Sequence, residues 1–130
     1  MISSRILLEK LINQLANCGI CVMYAKITRG MIIKEKKSLD SFGSFVKVVV
    51  DIERKILSAG CELHSDCVEE LMANGSLYPN LWGANVYPKD KKIDFISLIN
   101  IRPAENNRSM DIENPVIRKK VEDIIKNLAF

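Results

Sequence analysis

Apolar residues recur along the chain with two periods, and the switches between them outline the elements. Over residues 3–17, Ile6, Leu7, Leu8, Leu11, Ile12 and Leu15 fall at helical spacing, with Ser3 or Ser4 as a cap and Gly19 as a stop. Residues 20–27, "ICVMYAKI", read as a short strand, and "TRG" breaks the pattern. A short strand at 31–34 and a turn or short helix near 38–43 follow. "FVKVVVDI", residues 45–52, is rich in β-branched side chains and predicts a strand; "ERK" turns, and "ILSAGCEL", 56–63, returns beside it. Ser65 or Asp66 can cap a helix over 67–74, and Gly75 ends it. "LWGANVYP", 81–88, predicts a third strand, "KDKK" a turn, and "IDFISLINIRP", 93–103, a fourth. Asn114 caps and Pro115 opens a last helix with Val116, Ile117, Val121, Ile124, Ile125 and Leu128 on its apolar face.

From residue 45 the order is strand, strand, helix, strand, strand, helix. Hairpins separated by helices predict an α+β fold, with an antiparallel sheet and its helices on one face. An N-terminal helix and short strand, residues 1–30, are expected as an extension of a single domain over 31–130, with Gly30 at the boundary.

Composition narrows the class. A chain of 130 residues, 48% apolar and 27% charged, can bury one core as a soluble globular protein. Nineteen basic and sixteen acidic residues leave a net charge of +3, without the dense basic stripe of a nucleic-acid binder. No apolar run approaches the roughly 18 to 20 residues of a membrane span. Glu9, Lys10, Asn13 and Gln14 interrupt the apolar core that a signal peptide needs, so a cytoplasmic protein is expected. In that compartment Cys18, Cys21, Cys61 and Cys67 should be thiols. A zinc set could be drawn from Cys18, Cys21 and two of Cys61, His64 and Cys67, but a second tight pair is missing, and no metal or cofactor is expected.

From Met31 onward the stretches "VVDIERKILSAGCELHSD", "NGS", "LWGANVYP", "INIRP", "NRS" and "NPVIRKKV" occur in order with short gaps. As a set they resemble a small prokaryotic family, the domain of unknown function numbered 5674. The family pattern carries glycine where this chain has Cys61. The resemblance implies no activity. It directs attention to Asp51, Glu53, Glu62, His64, Asp66, Trp82, Asn85, Asn100, Arg102, Arg108 and Ser109.

Two constellations carry candidate chemistry. His64, the sole histidine, could act as a general base oriented by Glu62 or Asp66, or could simply form the first turn of the helix with Asp66. No nucleophile motif or phosphate loop accompanies it, so catalysis is the secondary reading. The stretch "INIRPAENNRS" offers more. Arg102 and Arg108 suit a phosphate or carboxylate, Asn85, Asn100 and Asn106 supply amides, and Trp82 on the neighbouring strand could stack a ring. The competing role for these residues is turn chemistry, with an arginine bridged to Glu105, Asp111 or Glu113. The leading expectation is a non-enzymatic, homo-oligomeric binding module for a small anionic ligand of nucleotide type, with no membrane or nucleic acid as partner. The alternatives are a small hydrolase or lyase using His64, and a partner-binding protein.

Overall fold

Residues 46–50 lack the polar alternation of a half-exposed strand because both faces of their sheet are covered. The computed structural model describes residues 30–130. Five strands, β1 (Met31–Ile33), β2 (Val46–Asp51), β3 (Ile56–Ala59), β4 (Leu81–Tyr87) and β5 (Lys92–Asp94), form one sheet in the order β1-β3-β2-β4-β5. Every neighbouring pair is antiparallel. Helix α1 (His64–Ala73) follows β3, and α2 (Pro115–Ala129) closes the described chain. The fold is α+β, as expected. The expected helix over 3–17 and strand over 20–27 lie outside the described residues.

The period of two sorts the central strands into opposite faces. Val46, Val48 and Val50 join Trp82, Ala84, Val86 and Leu57 in the larger core, sealed by Val121, Ile124, Ile125 and Leu128 of α2. Val49, Ile56 and Leu81 point the other way and pack against Cys67, Val68 and Leu71 of α1. The helices therefore lie on opposite faces, not on one. The near-continuous valine run is the sequence counterpart of that three-layer arrangement, and each such valine contributes about 1.5 to 3 kcal/mol by leaving water.

Local chemistry sets the ends. Asp51 Oδ1 accepts from the N–H groups of Glu53 (2.9 Å) and Arg54 (3.0 Å), folding the β2–β3 turn, in which Lys55 takes a φ of 57°. Helix α1 begins three residues earlier than the apolar pattern predicts. Asp66, inside its first turn, accepts from the Leu63 N–H (3.2 Å), so the capping acid reaches backwards rather than standing at the cap. Asn114 caps α2 by accepting from Val116 and Ile117, as its position predicts.

The fourth predicted strand is the main correction. Only Lys92–Asp94 pairs with β4; the chain then leaves the ladder and makes 3₁₀ turns at Leu98–Asn100 and Pro103–Glu105. Ser97 accepts from the Ile99 N–H and starts the first turn (3.3 Å). Gly83 makes this possible: a Cβ there would lie 2.6 Å from Ser97 Oγ and 3.0 Å from Ile99 Cγ1. The alternation of Ile99 and Ile101 is thus a local coincidence of a turn lying across a strand.

Candidate functional site

Arg102 and its neighbours form the most densely bonded polar structure outside the helices and sheet. Arg102 and Asn107 bridge through their backbones in both directions (2.6 and 3.0 Å), and Asn106 takes the left-handed conformation (φ 61°) that closes the turn between them. The Arg102 side chain, 6% exposed, runs inward from this turn. It donates to the carbonyls of Ile99 (3.2 Å), Pro79 (3.2 Å) and Leu81. Its planar guanidinium lies 4.3 Å from the Trp82 ring centroid and 4.6 Å from that of Tyr78. Glu105 adds an ion pair at 3.5 Å. The fork of donors that suits an anion is here aimed at three carbonyls and two rings.

Asn100 is equally committed. It is fully buried, and exchanges two hydrogen bonds with the Gly83 backbone, accepting from its N–H (2.8 Å) and donating to its carbonyl (3.0 Å). This amide takes the place that a fifth-strand backbone would occupy beside β4. Asn107 fixes the far side of the loop, donating to the Asn100 and Asp111 carbonyls (2.7 Å each) and accepting from the Glu113 N–H (2.8 Å). Sequence reasoning passed over Asn107; only its buried position distinguishes it from its exposed neighbour Asn106.

The structure does bring Trp82, Asn100 and Arg102 together, but as interior groups. Asn85 is also buried, and donates to the Ile96 carbonyl (3.0 Å). Asn106 and Arg108 lie exposed at the loop tip, where the Arg108 N–H donates to Glu113 (2.7 Å).

His64, Glu62 and Asp66 gather at the start of α1 without converging as a catalytic group. The half-buried His64 ring turns to the edge of β4, with Nε2 2.8 Å from the Ala84 carbonyl. Burial is the chief cause that holds its pKa below the ordinary imidazole value, partly offset by the Ala84 hydrogen bond, and nearby Lys47 lowers it further. A neutral ring with its proton on Nε2 fits that geometry. Glu62 is exposed, and its backbone carbonyl accepts from Lys47 Nζ (2.9 Å). Asp66 caps the helix. Among the described residues, no three His, Cys, Asp or Glu side chains converge as metal ligands would. Cys61 and Cys67 are joined as a disulfide, against the expectation of thiols.

The loops that Arg102 and Asn100 lock together also expose apolar side chains. Leu77 (67% exposed) and Tyr78 precede β4, while Leu98 (73% exposed), Ile101 and Met110 stand on the later loop. The sequence shows this signal only in part: Leu77, Tyr78 and Met110 fall outside the predicted elements, whereas Leu98 and Ile101 fall inside the predicted fourth strand.

A family described as "Protein of unknown function (DUF5674)" matches residues 21–128, so the match begins ten residues ahead of Met31, where the domain is expected to start. No curated protein and no solved structure matches the chain. Among the described residues, no helix is long and apolar enough to cross a membrane.

Proposed function

We propose that this chain, which belongs to the DUF5674 family of proteins of unknown function and takes no activity from that membership, is a non-catalytic docking module that self-associates through the Leu77–Tyr78 and Leu98–Met110 loops. The observation that carries this reading is the exposure of five large apolar side chains on two loops held rigid from beneath. Arg102 ties Pro79 and Leu81 to its own turn, and Asn100 ties Gly83 to the Met110 carbonyl (3.0 Å). A preorganised apolar face loses little entropy on docking. Single exposed leucines are ordinary; a group on adjoining loops marks an interaction surface.

A second copy of the chain is the occupant that the charges favour. Glu105, which also pairs with Arg102, and Arg108 carry opposite charges on one loop beside the apolar residues, so a two-fold arrangement can set each against its complement. The anionic-ligand reading has less support. It would need Arg102 to give up three carbonyl acceptors and two ring faces.

Sedimentation equilibrium on the full chain tests the proposal. The wild type is expected to associate reversibly, and Leu98→Glu to be monomeric with an unchanged melting temperature at low concentration. A wild type that stays monomeric across the accessible range, or a Leu98→Glu variant that associates equally, overturns it.

A further inference from the structure

The disulfide stands on the α1 side of the sheet, in the apolar cluster that Ile99 packs against. Cys61 follows Gly60 just beyond β3, and Cys67 sits in the first turn of α1, with their Cα atoms 5.7 Å apart. That separation falls within the span that a disulfide bridges without backbone movement. The sequence separation is six, so the closed loop is short and restricts the unfolded chain less than a long one would.

The two sulfurs have different surroundings. Cys67 is fully buried, with Sγ 3.4 Å from the Ser58 carbonyl. Cys61 lines a shallow concavity of about 360 Å³, whose walls include Phe42, Phe45, Lys47 and Glu62. Phe45 is exposed, and offers an incoming partner an apolar foothold in the same concavity. In thiol–disulfide exchange, access decides which sulfur is attacked, and the stability of the departing thiolate decides how fast it leaves. Cys61, 6% exposed and part of the concavity wall, is the less buried of the two cysteines. Cys67 departs into the N-terminal turn of α1, where the helix favours negative charge while burial among apolar side chains opposes it. The Lys47 ammonium in the wall favours an incoming thiolate.

We infer that Cys61–Cys67 is a redox-active disulfide, reduced by a dithiol that attacks Cys61 from the concavity lined by Phe42, Phe45 and Lys47. One donor thiolate bonds to Cys61 Sγ, and the bond to Cys67 Sγ breaks, releasing Cys67 as a thiolate that takes up a proton. The second donor thiolate then attacks the donor sulfur of the mixed disulfide and releases Cys61. Two electrons pass to the cysteine pair, and the donor leaves as its own disulfide. Reduction removes the covalent tie between the end of β3 and the start of α1.

The test uses the folded full chain equilibrated in mixtures of reduced and oxidised glutathione, then alkylated and digested with trypsin. Residues 56–89 form one peptide carrying Cys61 and Cys67, separate from the peptide with Cys18 and Cys21. That peptide is expected to pass from disulfide to doubly alkylated as the mixture becomes reducing, while circular dichroism shows a folded chain. Cys67→Ser should trap glutathione on Cys61, and Cys61→Ser should leave Cys67 unmodified; alanine at either position serves if serine prevents folding. A disulfide that opens only in denaturant, thiols that never pair in oxidised glutathione, or a mixed disulfide on Cys67 instead overturns the inference.

Discussion

Arg102 shows how a residue suited to ligands can be absorbed by the fold. A guanidinium offers five N–H donors in a plane, and here they reach three carbonyls on two segments. Arg102→Ala is expected to cost roughly 3 kcal/mol, because those carbonyls stay buried without a donor. Arg102→Lys should recover little of it, since one ammonium cannot span the same acceptors or stack on both rings. Urea denaturation at constant m-value measures both. The exposed partner Glu105 contributes little beside this. His64 supplies a prediction in pH. The unfolded ring takes up a proton near pH 6.5, and the folded ring only at lower pH, because burial opposes its charge. Below about pH 6.5 the unfolded chain therefore binds more protons, and stability falls as the medium is acidified through that window. Thermal melts between about pH 7.5 and 5.5 should show a steeper loss for the wild type than for His64→Gln.

At the scale of elements, the edge of the sheet beside β4 is completed by a side chain. β5 pairs with β4 only as far as Asn85, and Asn100 then meets the Gly83 backbone with both its donor and its acceptor. Gly83→Ala is expected to cost about 1 to 3 kcal/mol, because the added Cβ would press on Ser97 and Ile99. Asn100→Ala should expose the Gly83 N–H, seen as a loss of hydrogen-exchange protection at Gly83 while Val48 and Val50 in β2 stay protected. Equal loss in β2 would mean that the loop and the sheet open as one unit.

At the scale of the molecule, the sheet is covered on both faces, with α1 over Val49, Ile56 and Leu81 and α2 over the larger core. Of the large apolar side chains left exposed among the described residues, Leu77 and Tyr78 stand on the loop before β4, and Leu98, Ile101 and Met110 on the loop after β5. Association through that surface binds only the folded state, so the melting temperature of the wild type should rise with protein concentration. For Leu98→Glu it should not, and differential scanning calorimetry at two concentrations separates the cases.

Much of this protein was settled by local sequence. The valine-rich strand, the turn at 53–55, the glycine after α1 and the Asn114–Pro115 start of α2 each act through short-range chemistry, and each stands where the sequence predicts. The α+β class follows from their order. Three matters needed the tertiary structure. The valine run marks both faces of the sheet as covered, but which helix covers which face depends on the side each connection crosses. The end of the strand at Asp94, short of the predicted 103, depends on Gly83, more than ten residues before the turn it admits across its backbone. The role of Arg102 depends on where its carbonyl partners fall: the same side chain holds an anion on an open surface and holds the chain together in a closed one. Sequence determines what a side chain is able to bond; only the fold decides which partner arrives first and whether water or a ligand can still reach it.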